Sequence, residues 1–411
     1  MRLLIVGQAG QPTGIARVTQ AIAKTQAEYF ETHLLGIDYH GKCTTVNAPN
    51  PYRLHPNPNP VDVFAEDRIT TLVAEIEPQI MLLYGDPWVI ARFASAVKQS
   101  GRQPLLVGYA PIDTQTTEPL DVALEALDCI VTFTQFGRKV VEACAQLNAN
   151  AQKKLFCDIA VIPHGLALSQ FFVLDSDPEQ QRLLARKRLF PNQPELWRGF
   201  WVLNANRNQP RKRIDLTLEG FAHFAQDMPP DTRLFLHMEP HNFGLDVRRM
   251  ARSLGIADQL ILRTQTGHPA VSSEMLNVIY NACDVGVNTA VGEGWGLVSW
   301  EHAATGAPQI LPDHSACAEL WQDSALILPV HTESSVHKLM VSGNQISSVQ
   351  LGDALKKLMS DRHLYNKYRL SGLQKTQQTI YSWEKIGLQW QNLFENLIAE
   401  KGVGINYEPV Y

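Results

Sequence analysis

Short apolar runs, each followed by a polar stretch of helical character, recur along this chain, stop once, and start again. Residues 2–6, 33–37, 80–85, 105–109, 129–133 and 159–162 form the first series, and 200–203, 234–237, 260–262, 285–287, 309–311 and 326–328 the second. Helical periodicity fills the intervals at 15–30, 88–99, 136–147, 216–224 and 272–282. Strands that are apolar along their whole length, separated by helices, predict parallel sheets covered on both faces. The interruption, a polar stretch at 171–195 ending in Arg and Lys, predicts a linker and the first helix of a second domain. The chain of 411 residues exceeds what one core usually organises, which also gives two domains. No sequence repeat links the two series.

Composition narrows the class. Hydrophobic residues make up 45% and charged residues 19%, as in a globular protein. The formal charge of −5 gives no case for nucleic-acid binding or strong membrane adsorption. Residues 1–6 are too short an apolar run for a signal peptide or a membrane span, so we expect a first strand, a cytoplasmic location and no transmembrane segment, with peripheral membrane contact left open. Cys43, Cys129, Cys144, Cys157, Cys283 and Cys317 contain no C-x-x-C pair and are expected as buried thiols. Residues 45–60, rich in Asn and Pro, are expected as a surface loop.

The chemistry concentrates at 291–310. Glu293 and Glu301 bracket Gly294-Trp295-Gly296-Leu297, with Gly292 before it, between the strands at 285–287 and 309–311. Such a turn lies at the carboxyl end of a parallel strand, where open α/β sheets bind ligands. Bare glycine backbone and the unpaired N–H groups that open a helix suit phosphate oxygens. Two carboxylates beside a phosphate cradle suit sugar hydroxyls instead. Glu301 is expected two helical turns past Glu293, pointing into the same cleft, while Gly306 and Pro308 end the helix. A second loop, 204–215, carries Arg207, Arg211, Lys212 and Arg213 where a strand passes into a helix, again suited to an anion. The ordinary alternative for both is a solvated turn.

Glu293 and Glu301, with seven residues between them around Gly-Trp-Gly-Leu, resemble the E-x7-E motif of retaining GT-B glycosyltransferases, in particular glycosyltransferase family 4. The resemblance implies a GT-B fold, two Rossmann-like parallel-sheet domains facing each other across a cleft. It implies an N-terminal acceptor domain at 1–168, completed by a crossing helix at about 380–411, and a donor domain for a nucleoside-diphosphate sugar at 169–379. It implies transfer of a sugar to a carbohydrate, lipid-linked or small-molecule acceptor, with no cofactor and no metal required. Arg207 and Lys212 match the family's basic pair for the diphosphate, Glu293 the contact to donor-sugar hydroxyls, and Glu301 the contact to the nucleotide ribose. Gly294, Trp295, Gly296 and Leu297 supply the phosphate-facing turn, and Thr266 falls on a loop beside the base.

In the first domain the resemblance makes Thr13, Gly14 and Arg17 candidates at a glycine loop. Asp113 or Tyr109 stands where many members carry a histidine near the reacting sugar, and His164 sits at the family's turn into the linker. Thr134 and Gln135 end a strand beside them. For His164 a purely structural hydrogen-bonding role is the alternative; His302 is expected to be structural. Asp175-Ser176-Asp177 mimics a D-x-D metal motif but precedes Pro178 and a helix, where acids cap. Glu319 is expected as a helix residue and a weak site candidate.

Two rivals remain at this point. A non-catalytic nucleotide-sugar-binding subunit is suggested by the missing histidine. An NAD-dependent oxidoreductase is suggested by the first strand-helix-strand unit and by Asp38, where a ribose-binding acid would lie; the spacing of Gly7, Gly10 and Gly14 argues against it.

Overall fold

The computed structural model describes residues 1–41, 50–115, 125–150, 157–240, 244–262, 271–333 and 343–402, without the side chains of 147–150. Thr266 and Cys43 lie outside the described residues. The chain divides into one unit of residues 1–165 and 383–411 and a second of residues 166–382.

In the first unit, β1 (Arg2–Gly7), β2 (Glu31–Gly36), β3 (Arg53–Pro56), β4 (Ile80–Tyr84), β5 (Leu105–Ala110), β6 (Cys129–Thr132) and β7 (Asp158–Val161) form one parallel sheet, ordered β3-β2-β1-β4-β5-β6-β7. The helices are α1 (Gly14–Gln26), α2 (Glu66–Ile76), α3 (Pro87–Gln99) and α4 (Gln135–Asn150). Leu3 to Val6 and Ile80 to Leu83 are wholly buried, because helices cover both faces of the central strands. Thr13 caps α1 through its hydroxyl, which accepts the Ala16 N–H, and the helix closes at Gln26, before the expected Phe30. The expected loop at 45–60 is in part a strand: Arg53–Pro56 pairs with β2 at the sheet edge, where a terminal proline costs no ladder bond.

The second unit opens with α5 (Pro178–Leu189), capped by Asp177, whose carboxylate accepts the Glu179 N–H; the D-x-D look-alike is a cap. Its strands β8 (Trp201–Asn204), β9 (Arg233–Leu236), β10 (Leu260–Leu262), β11 (Val285–Val287), β12 (Gln309–Pro312) and β13 (Leu326–Leu328) are ordered β10-β9-β8-β11-β12-β13. A hairpin, β14 (His331–Glu333) with β15 (Gly343–Gln345), stands apart. The helices are α6 (Ile214–Ala225), α7 (Val247–Ser253), α8 (Ser273–Ala282), α9 (Leu297–Ala304), α10 (Ser315–Trp321), α11 (Ser348–Ser360) and α12 (Arg362–Thr376). Arg186 of α5 donates to Asp284 Oδ2 at 2.6 Å and lies 4.4 Å over the Trp201 ring, and the same oxygen takes the Trp201 N–H at 2.7 Å. One carboxylate thus fixes the starts of β8 and β11 side by side.

The last helix, α13 (Trp383–Lys401), belongs to the first unit. Gln26 of α1 donates to the Gly387 carbonyl at 2.9 Å, and Trp390 meets Tyr109 edge-on at 4.8 Å. Its buried stripe is Ile386, Trp390, Phe394 and Leu397, with Phe394 packed against Phe30 and Leu393 only half-buried. The two strands of chain that join the units touch each other: Leu166 bridges Ser382, and its N–H donates to the Tyr381 carbonyl at 2.8 Å. Cys129, Cys144, Cys157, Cys283 and Cys317 are buried free thiols, and no described helix is long and apolar enough to cross a membrane.

Candidate functional site

Each sheet reverses its order once, between β1 and β4 in the first unit and between β8 and β11 in the second. At such a point the loops leaving two neighbouring strands diverge and open a crevice at their carboxyl ends. In the second unit those loops are 205–213 and 288–296, and they carry the cations and Glu293.

A chain of hydroxyls stitches the loops together. Asn204 donates its amide to Thr217 Oγ1 at 2.8 Å, Thr217 lies 2.9 Å from Thr289 Oγ1, and Thr289 donates to the carbonyls of Lys212 and Arg213 at 2.9 and 2.8 Å. The Val291 N–H then reaches the Arg211 carbonyl at 2.9 Å. Arg213 is held at φ 47°, with its guanidinium forked onto Asp215. This turn delivers Lys212 Nζ to 2.5 Å from Glu293 Oε1, and Asn288 donates to the same oxygen at 2.9 Å.

Lys212 and Glu293 are each only 6% exposed, so the ion pair is dry. Burial alone would raise the Glu293 carboxyl, but Lys212, Arg211 and the Asn288 bond outweigh it and hold it below the usual carboxylate range. Arg207, on the same loop, is exposed and has no ion pair among the described residues. Desolvation of part of its side chain and the neighbouring Arg211 cation lower its guanidinium from the ordinary value. The loop therefore holds Lys212 and Arg213 in ion pairs and leaves Arg207 without one among the described residues.

Gly294 and Trp295 are buried, and Gly296 turns the chain into α9 at φ 87°, where glycine alone is unstrained. The first helical bond runs from the Trp300 N–H to the Gly296 carbonyl, so the N–H groups of Leu297, Val298 and Ser299 precede it. The Trp295 ring packs into an aromatic cluster, 5.0 Å from Trp300 and 5.9 Å from Tyr381. Glu301 lies one helical turn into α9, nearer than the expected two, because 293–296 is loop. It is buried, and its Oε2 accepts the Tyr280 hydroxyl at 2.9 Å, so the two glutamates are held by different partners. His302 is structural as expected: fully buried, stacked on Tyr280, and pushed down to about 3 by burial.

The residues missed from sequence stand around Glu293. Asn288 follows β11 directly and is one of its two anchors. Ser315 accepts the Glu293 N–H at 3.1 Å and Ala316 donates to the Glu293 carbonyl at 3.2 Å. Glu319, the weak candidate on that segment, is a helix residue as expected, exposed on α10. Asn288 was legible as a polar residue ending a buried strand; nothing local marks Ser315.

The remaining candidates belong to the first unit. Gly14 opens α1 behind the capping Thr13. Asp38 is not available to a ribose: its carboxylate takes the N–H groups of Ala9, Gly10 and Gln11 at 2.7, 2.9 and 3.0 Å. Asp113 is half-buried beyond the end of β5. Tyr109 is fully buried and places its hydroxyl 2.8 Å from His164 Nδ1 and 3.0 Å from the Ile162 carbonyl. His164 is 2% exposed, packs 4.1 Å from the Phe133 ring, and is lowered to about 3 by burial, which gives it the structural role rather than a surface one. Thr134 is also buried and caps the start of α4 through the Gly137 N–H.

No family model matches this chain. A 157-residue stretch is 34% identical to D-inositol 3-phosphate glycosyltransferase of Geodermatophilus obscurus, covering 36% of this chain and 32% of that protein. The Salinispora tropica protein of the same name is 30% identical over 160 residues, 37% of this chain and 31% of its own. The chain thus matches about a third of the length of these curated relatives. Among solved structures, sucrose-phosphate synthase from Thermosynechococcus elongatus superposes with a TM-score of 0.71 at 16% identity over 97% of this chain and 100% of its own. Anabaena HepE in complex with UDP-glucose gives 0.70 at 14% identity over 96% and 100%. Trehalose 6-phosphate synthase from Burkholderia multivorans gives 0.69 at 13% identity over 98% of each chain. Two parallel-sheet α/β units with this strand order, and these neighbours over nearly the whole length, identify the fold of this chain as GT-B.

Proposed function

We propose that this protein is a retaining glycosyltransferase that moves a sugar from a nucleoside-diphosphate sugar to an acceptor hydroxyl. The observation that carries the reading is the dry Lys212–Glu293 pair, on the loop that also carries Arg207, a cation with no ion pair among the described residues, at the order reversal of the second sheet. Arg207 and Lys212 take the two phosphoryl groups, and the N–H groups of Leu297 to Ser299 take remaining phosphate oxygens. Their charge stabilises the diphosphate as it departs, which is where negative charge grows. Glu293, with Oε1 committed to Lys212 and Asn288, offers its second oxygen to donor-sugar hydroxyls, and Glu301 serves the ribose. The departing phosphate accepts the proton of the incoming hydroxyl. The guanidinium and ammonium groups supply the charge, so the reading calls for no resident cofactor. The second unit is assigned the donor; the first, with Gly14 and Asp113, is assigned the acceptor, a carbohydrate, lipid-linked or small molecule.

HepE was solved with UDP-glucose, so UDP and its sugars lead the test panel, followed by GDP, ADP and theirs. We expect one nucleotide series to raise the melting temperature of the pure protein. The matching sugar should then be transferred or slowly hydrolysed with its anomeric configuration kept, as proton NMR reads directly. Arg207→Ala should weaken that binding about tenfold or more, the loss of one charged hydrogen-bonding group. Binding with neither transfer nor hydrolysis would replace the reading with a nucleotide-sugar-binding subunit, and no nucleotide response at all would end it.

A further inference from the structure

We infer that His314 and Ser315 are positioning residues for the sugar end of the donor, acting through Glu293; the inference rests on the reading above. Chemistry fixes every direction in this arrangement. The Ala290 carbonyl, 2.9 Å from His314 Nε2, can only accept, so Nε2 carries the proton. The neutral ring then presents Nδ1 as an acceptor, and the Ser315 hydroxyl, 2.9 Å away, donates to it. That leaves a Ser315 lone pair for the Glu293 N–H at 3.1 Å. The circuit therefore runs from Glu293 through Ser315 and His314 back to Ala290, three residues earlier, and closes the loop that carries the carboxylate.

The other side of the same residue is tied as well, by the Ala316 N–H on the Glu293 carbonyl at 3.2 Å. Both peptide groups of Glu293 are thus anchored to the start of α10, while its side chain is anchored to Lys212 and Asn288. His314 and Ser315 are each 8% exposed, so water does not readily replace these bonds. The neutral ring suits the site, since burial lowers its tendency to protonate against the opposing pull of the Ala290 carbonyl, Glu293 and Asp313.

Ser315 also holds a left-handed backbone, φ 47°, which a serine adopts at a cost and a glycine adopts freely. Ser315→Gly therefore removes the hydroxyl without adding backbone strain, and the comparison of two ligands separates positioning from stability.

The test compares UDP with UDP-glucose on wild type, Ser315→Gly and His314→Ala, by calorimetry and by melting temperature. Ser315→Gly should stay folded, bind UDP unchanged, and bind UDP-glucose about tenfold more weakly, with the KM for the donor rising accordingly. His314→Ala should show the same sugar-selective loss to a smaller degree. Equal losses for UDP and UDP-glucose, or none for either, overturn the inference. Failure of wild type to bind any nucleotide would instead strike the functional reading itself, so the two failures are told apart.

Discussion

The two units build the same crevice and furnish it with opposite charges. At the order reversal of the first sheet, the loop after β1 is held by an anion: Asp38 gathers three backbone N–H groups, and Gly10 packs so closely that a Cβ there would stand 2.4 Å from the Asp38 carbonyl oxygen. At the reversal of the second sheet, the loop after β8 carries Arg207, Arg211, Lys212 and Arg213; the anion on Lys212 comes from the neighbouring loop, and that on Arg213 from the start of α6. A carboxylate that consumes loop amides removes donors from a phosphate; cations on the loop add them. The same topology thus yields a closed loop in one unit and a charged seat in the other, and the difference lies in a few side chains rather than in the fold.

The comparison breaks most visibly at the dry ion pair. Lys212→Ala leaves Glu293 buried without its cation, and we expect a stability loss of about 3–5 kcal/mol. The double variant with Glu293→Ala should recover much of it, since the two residues act as one unit. Chemical denaturation of the four proteins measures the coupling; additive losses would mean the pair is not the keystone of the second unit.

Acid sharpens the comparison next, because each unit hides one imidazole that burial holds at about 3, His164 in the first and His302 in the second. The unfolded chain protonates these rings near pH 6.5, while the native one keeps them neutral. Their contribution is therefore fully present above pH 6.5 and declines as pH falls toward 3, by about 1.4 kcal/mol per pH unit for each ring. Glu293, also depressed, adds its own loss only lower, as pH falls below the ordinary carboxylate range. Denaturation curves at pH 7, 6 and 5 should show at least that slope, because burial also lowers His33, His55 and His314, and His302→Gln should make it shallower by one ring's share.

The smallest expected effect lies in the first unit. Asp38→Asn keeps one acceptor oxygen and sets an NH2 against the loop amides, which we expect to cost about 1–3 kcal/mol. Hydrogen exchange should show Ala9, Gly10 and Gln11 losing protection while the amides of β8 and β11 keep theirs. Unchanged exchange at those three positions would remove the closed-loop half of the comparison.

How much of this was legible in the sequence follows from the range of each interaction. The strands and most helices declare themselves through periodicity and caps, which act over a few residues: the acidic cap before α5 and Gly306 after α9 were readable at once. Lys212 and Glu293 were readable because each sits at a strand end with glycine or cations around it. Their bond was not, since 81 residues separate them. Asp38 misled for the same reason: an acid ending a second strand is a ribose ligand in one setting and a loop clasp in another, and only the partner decides. β3 was hidden by its prolines, which an edge strand tolerates, and Ser315 by a backbone conformation that no residue type announces.

The contact between Leu166 and Ser382 has one more implication. Because the chain departs for its second half and returns from it at adjoining points, residues 166–382 form an excursion with neighbouring ends, spliced into a host whose last helix is supplied only after the return. Such a segment can be lifted out as a cassette, rejoined end to end and reopened elsewhere with little loss of chain entropy. The host cannot be shortened from its tail in the same way, since α13 supplies Trp390 and Phe394 to the packing of Tyr109 and Phe30 near its beginning.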